Sequence, residues 1–210
     1  MLIEGRKGAP ASKIADGVQV AARITDTGGM AVTNMHGAYS DASIRGRMFA
    51  VCNATGGIAP GTALSTTPPI ALWNPPGSGM NLVILRTSIG YVSGTLGAGC
   101  VYYGLTVGQA SIPSTGTELT PVNCCLGLPR GQGRAFTGST IVLAPVIIRP
   151  VYTLGAALAS TVLFSTPMYD IVDGEITVPE NTVFAMQGVT ATGSTPLVSF
   201  GITWEEVPNK

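Results

Sequence analysis

From Arg47 onward, apolar and polar residues alternate in short runs, each closed by a cluster of Gly, Pro, Ser or Thr, and the runs recur every ~8–12 residues. That spacing predicts an all-β sandwich of about eight to ten strands. They are expected over residues 48–52, 69–73, 81–88, 101–107, 122–126, 141–148, 162–164, 175–178, 182–187 and 197–205. The final run shows the two-residue period best: Val198, Phe200, Ile202 and Trp204 fall on one side and should be buried together. Ile176, Val178, Val183 and Phe184 are expected toward the core or its edge. Leu82-Val83-Ile84-Leu85 breaks the alternation. An unbroken apolar run predicts a strand covered on both faces, by a second sheet on one side and by a neighbouring chain or arm on the other.

Turn chemistry supplies the connections. Asn74-Pro75-Pro76-Gly77-Ser78-Gly79 joins the fixed φ of proline to glycine's access to positive φ, which predicts a tight reversal and a β-meander after it. Gly94-Thr95-Leu96-Gly97-Ala98-Gly99 reads as a hairpin connection, and Pro179-Glu180-Asn181 as a turn between two alternating strands. Helical periodicity is scarce, with residues 154–163 the sole candidate. Residues 1–45 have another texture: polar, glycine-punctuated, and carrying Arg6, Lys7, Lys13, Arg23 and Arg45. They predict an extended N-terminal arm over 1–45, with one strand over 17–24, ahead of a single β-sandwich domain over 46–210. A tail that stays disordered, or one that orders on binding, remains open for the arm.

Composition changes the picture of the surface. Only 10% of residues are charged, so the exterior must be built from Ser, Thr, Gly, Ala and apolar atoms. Such an exterior is poorly solvated on a free monomer, and burial against other subunits is the expected remedy. Eleven basic residues cancel eleven acidic ones, which leaves no overall positive field to collect nucleic acid. No apolar leader segment opens the chain, and residues 150–169, the longest strongly apolar stretch, hold two prolines and a glycine and make a poor membrane helix. Neither secretion nor a membrane is expected. Asn53-Ala54-Thr55 matches a glycosylation acceptor only by coincidence.

Candidate chemistry is thin. Cys52, Cys100, Cys124 and Cys125 show no metal-ligand spacing, and the chain has one histidine, His36, so free, mostly buried thiols and a reducing place of assembly are expected. Cys124 and Cys125 should point to opposite faces of a strand. Asp170, Asp173, Glu175 and Glu180 fall close together. They lack the ligand spacing of a calcium loop and read instead as a solvated loop around an Asp173-Gly174 turn. His36 reads as an exposed loop residue, and no nucleophile elbow or phosphate loop is present. No catalytic, cofactor or metal residue is assigned. Arg86 and Arg149 end apolar runs, as partners in an intersubunit ion pair or as guards of a strand edge. Arg130, with Gly131-Gln132-Gly133-Arg134, makes either an anion grip for a partner or a solvated tip. Trp73, Trp204, Tyr102, Tyr103, Tyr152 and Tyr169 are expected in core packing rather than in a sugar-stacking platform.

The segment Leu72-Trp73-Asn74-Pro75-Pro76-Gly77-Ser78-Gly79-Met80-Asn81-Leu82-Val83-Ile84-Leu85, with residues 94–103 and the closing Trp204-Glu205-Glu206-Val207-Pro208, resembles virion structural proteins of tailed bacteriophages. In particular it resembles head decoration, or cement, proteins with a jelly-roll domain, over residues 47–208. The resemblance implies a jelly-roll β-sandwich that forms a homotrimer on the major capsid protein lattice and clamps the head, without an enzymatic step or cofactor. Assembly would take place in the host cytoplasm and the final location would be the capsid surface. Arg6, Lys7 and Lys13 would belong to a capsid-contacting arm. The alternative is a trimeric receptor- or glycan-binding module of a phage tail or head fibre. A sugar-modifying enzyme on the same scaffold would have only Asp170 and Asp173 to offer as its acid pair.

Overall fold

The computed structural model describes residues 37–53, 55–154 and 168–209. The arm residues Arg6, Lys7, Lys13, Arg23 and His36, the expected strands over 17–24 and 162–164, and most of the candidate helix over 154–163 lie outside them. By its internal contacts the chain divides into Met1–Ser40 and Asp41–Lys210. The second unit opens with most of a one-turn helix, α1 (Ser40–Ile44). Arg47 N–H reaches back to the Ala42 carbonyl and Gly46 N–H to that of Ser43, which closes the turn in the manner of a Schellman cap.

Among the described residues eleven strands follow: β1 (Met48–Cys52), β2 (Ile70–Asn74), β3 (Met80–Thr95), β4 (Gly99–Val107), β5 (Thr117–Leu119), β6 (Val122–Asn123), β7 (Arg134–Thr137), β8 (Val146–Leu154), β9 (Met168–Val178), β10 (Thr182–Thr190) and β11 (Ser194–Pro208). They form two antiparallel sheets, one ordered β6-β1-β11-β3-β9 and the other β5-β7-β2-β10-β4-β8. Taken along the chain, each long strand lies in the sheet opposite its predecessor, except for β4 and β8, which pair directly. This is the double Greek key of a jelly roll. The short strands β5, β6 and β7 sit in the β4–β8 connection and widen both sheets along one edge.

That order corrects the expected meander. The turns over 74–79, 94–99 and 179–181 each carry the chain from one sheet to the other, so none of them makes a hairpin. Proline and glycine fix the reversal, but they do not fix the partner; packing of the inward faces does. Trp204, Phe200, Ile202 and Val198 of β11 interleave between the sheets with Phe184, Met186, Leu72, Tyr103, Leu82 and Ile84. The Phe49 and Trp204 rings lie 5.9 Å apart, and those of Tyr103 and Phe184 5.2 Å. At ~25 cal/mol per Å² of apolar area, these fully buried rings dominate cohesion of the sandwich.

Other expectations change for local reasons. Leu85 needs no neighbouring chain: it is the extra residue of a β-bulge, unpaired between Ile84 and Arg86 against both β11 and β9, and buried within this chain. Asp173 and Gly174, expected as a loop, form the facing bulge inside β9 with φ of 53° and 87°. The strand expected over 122–126 stops at Asn123, whose side-chain oxygen accepts the Cys125 amide at 2.9 Å and bends the chain into a turn. Cys124 and Cys125 therefore do not occupy opposite faces of a strand. All four thiols are free, but Cys52 and Cys124 are exposed rather than buried. The strand expected over 141–148 begins only at Val146, because Gln109 Oε1 takes the Val142 amide at 2.7 Å and Thr106 Oγ1 donates to the Leu143 carbonyl at 3.1 Å.

Candidate functional site

Most charged side chains of the described sandwich are engaged by other groups of the same chain. At the edge where β8 and β9 end their sheets, Arg149 pairs with Asp170 at 2.8 Å and with Glu175 at 3.3 Å. Its guanidinium lies over the Tyr103 ring, 5.5 Å from the centroid. Tyr103 hydroxyl donates to Asp170 Oδ2 at 3.0 Å, and the Thr87 hydroxyl bridges those of Tyr103 and Tyr152, the latter at 2.9 Å. Burial pushes both phenols above their ordinary range, which keeps them neutral donors. Arg149 is thus a brace between the two sheets of one chain, and the intersubunit pair considered from the sequence is not what these contacts make. Arg86 is exposed on the outer side of β3.

A second internal anion site explains the glycine-rich stretch beside Arg130. Glu206 is buried on the inward side of β11 and accepts the Gln132 and Gly133 amides at 2.9 and 2.8 Å, with Trp204 Nε1 at 3.4 Å. A Cβ at residue 131 would stand 2.3 Å from Glu206 Oε1, so only glycine lets the loop wrap the carboxylate. The loop grips an anion, and that anion belongs to its own chain. Next to it Arg134 forms a two-pronged bond to Glu118, both contacts 2.7 Å, while lying over the Trp73 and Phe136 rings. These hydrogen bonds hold the Glu118 carboxyl below its ordinary range. The Gly77 and Gly79 amides do the same to Glu180, at 2.9 and 2.8 Å.

With three of the four clustered acids engaged in this way, the acid-rich segment offers no open carboxylate cage. Among the described residues no group of three or more His, Cys, Asp or Glu side chains stands together as a metal site. The aromatic residues divide: Trp73, Trp204, Tyr103 and Tyr152 are buried, whereas Tyr169 is 72% exposed.

What remains outward-facing is mostly uncharged. The outer face of the five-stranded sheet presents small residues, among them Ala50, Ser88, Gly201 and Thr203, around an open concavity of about 710 Å³ flanked by Arg86 and Tyr169. The outer face of the six-stranded sheet is covered by the protein's own loops, under which Ala71, Trp73, Phe136, Ile141 and Val183 form a second apolar cluster. At one end of that sheet, however, apolar side chains stand in solvent: Val146 is 74% exposed and Val107 68%, with Val142, Leu143, Ile147 and Ile148 beside them. The segment expected as a strand over 141–148 has one unusual property. Val142-Leu143-Ala144-Pro145-Val146-Ile147-Ile148 has no polar position for an ordinary half-buried strand to show to water.

No helix among the described residues is long and apolar enough to cross a membrane. Compared with protein-family models, curated proteins and solved structures, the chain finds no match.

Proposed function

We propose that this protein is a virion structural component, a homotrimeric decoration protein that binds the major capsid protein lattice of a phage head and stabilises it without catalysis. The observation that carries this reading is the surface: large apolar side chains stand exposed on a jelly roll whose described charges are largely spent on internal braces. A surface of that kind suits permanent contact with other protein better than free solution. The mechanism is mass action: a protein that binds the assembled shell and not its dissociated subunits stabilises the shell by an amount set by its concentration over its dissociation constant. Three linked copies add avidity. Arg6, Lys7 and Lys13 serve as lattice anchors in this reading.

The test is co-sedimentation of the full chain with tail-free heads. Binding is expected, with a loss of about tenfold or more in affinity when the three cations are reversed together (R6E, K7E, K13E). Absence of binding by the unaltered protein overturns the proposal. The 710 Å³ concavity, with hydroxyl-bearing Ser88, Thr120 and Thr203 and the exposed Tyr169 ring, favours one second reading, a glycan-binding module. Saturable glycan-array binding that Tyr169→Ala removes would support that reading instead.

A further inference from the structure

We infer that the apolar end of the six-stranded sheet, formed by Val107 of β4, the segment Val142–Leu143 and the first turn-side residues of β8 (Val146, Ile147, Ile148), is the surface through which copies of this chain associate. The inference rests on the self-associating part of the function proposed above and gives it a place on the molecule.

The backbone that carries the patch is fastened by side chains of this chain. Gln109 binds the Val142 amide through Oε1 and the Ser111 carbonyl through Nε2, both at 2.7 Å, and Thr106 holds the Leu143 carbonyl. Val146 pairs with Leu105, so β8 starts directly beside the end of β4 that carries Val107. Gly104 permits this approach, since a Cβ there would meet Pro145 Cβ at 2.5 Å. Loops are ordinarily polar because water is their partner. Here the loop is apolar and its backbone is held by Gln109 and Thr106, which leaves Val142 and Leu143 more than half exposed among the described residues.

Three observations select a second copy as the occupant. The first is charge. No Asp, Glu, Lys or Arg occurs in residues 87–117 or 135–148, and Arg149, which follows, is paired with Asp170 and Glu175 of its own chain. Residues near a symmetry axis meet their own equivalents, so a charge there would face its like; a patch without charges can sit at an axis at no electrostatic cost. The second is polarity. Non-obligate partners bind surfaces about as polar as the rest of the protein, whereas contacts between permanent copies are markedly more apolar. The third is extent. Six side chains exposed by roughly half or more offer ~500 Å², which with a rim approaches the ~800 Å² per partner of a stable contact. The association runs through side chains rather than by adding a strand. β8 is an edge strand, but Pro150 and two register shifts against β4 interrupt its outward ladder.

The experiment is sedimentation velocity on the full-length protein over a concentration series. The unaltered chain is expected to sediment as a single multimer, and L143D/V146D as a monomer, with association weakened about a hundredfold or more. Leu126→Asp, a change at an 83% exposed apolar position outside the patch, should leave the multimer intact. Should L143D/V146D fail to fold, hydrogen exchange on the unaltered protein decides. Amides of 142–148 that become less protected on dilution support the inference, and protection independent of concentration overturns it. A multimer that survives L143D/V146D also overturns it, as does a monomeric unaltered protein that floats with phosphatidylcholine vesicles. Failure of the multimer to bind phage heads would remove the proposed function and leave this surface standing.

Discussion

The two sheets of this jelly roll treat their outer faces in opposite ways. The six-stranded sheet puts Trp73, Phe136 and Val183 outward and then roofs them with its own loops, so β2 is buried along its whole length and β10 along nearly all of it. The five-stranded sheet puts Ala50, Ser88, Gly201 and Thr203 outward, where among the described residues they line an open concavity. Large side chains demand a cover and small ones do not. The face that invested in a roof gains a second core, and the bare face keeps a concave surface open to another molecule. Unbroken apolar runs therefore mark the self-covered sheet, in Ile70-Ala71-Leu72-Trp73 and Val183-Phe184-Ala185-Met186. The run over 82–85 lies in the other sheet, where a bulge turns Leu85 inward.

If the roof is a true second core, its removal should cost as much as damage between the sheets. Trp73→Ala, which also forfeits the indole bond to the Gln109 carbonyl at 2.8 Å, is expected to destabilise by about 3–5 kcal/mol in urea unfolding. A loss under about 1 kcal/mol would place the loops as mere surface covering. Gln109 tests how the roof is fastened. Gln109→Ala leaves the Val142 amide and Ser111 carbonyl without their partner and should cost about 1–3 kcal/mol, with faster hydrogen exchange at Val142 before any change in β11.

Extremes of pH separate the braces from the faces. The Tyr103 and Tyr152 phenols titrate higher in the folded state than in the unfolded chain, so the stability they contribute is complete below about pH 10 and declines as pH rises beyond it. Glu118 and Glu180 titrate lower when folded. Their contribution is complete above the unfolded carboxyl value of about 4.3 and is lost as pH falls from there through the lower folded values. Alkaline unfolding should therefore begin at the β8–β9 edge, and acid should first loosen β5 and the 74–79 turn, as site-resolved exchange would show. The smallest effect belongs to the bare face: Thr203→Ala should stay within about 0.5 kcal/mol of the unaltered protein in the same urea assay.

Much of the fold could be read in the chain because burial on one side imposes a period of two. Val198, Phe200, Ile202 and Trp204 are buried as their alternation requires, and β1, β2 and β4 lie close to where their runs place them. Pairing was not legible. The Pro-Gly chemistry of 74–79 is compatible with a hairpin or a sheet-to-sheet crossing, and contacts distant in sequence decide between them. β5 and β7 are not evident in the sequence because Thr117–Leu119 and Arg134–Thr137 are short, and what holds them, the burial of Ala135 and Phe136 and the Arg134–Glu118 pair, joins positions distant in sequence. The internal use of Arg149 and Glu206 was equally hidden, because a charge at the end of an apolar run looks the same whether its partner lies on this chain or another. The exposed end at 142–148 was visible as a run without polar positions, yet only the capture of its backbone by Gln109 and Thr106 turns that run outward.

The most direct test is a cryo-electron microscopy map of tail-free phage heads incubated with the full-length protein. Added density is expected at the three-fold positions of the lattice, fitted by three jelly rolls whose 142–148 ends meet at the axis. Heads without added density, or jelly rolls bound singly with those ends facing solvent, would contradict it.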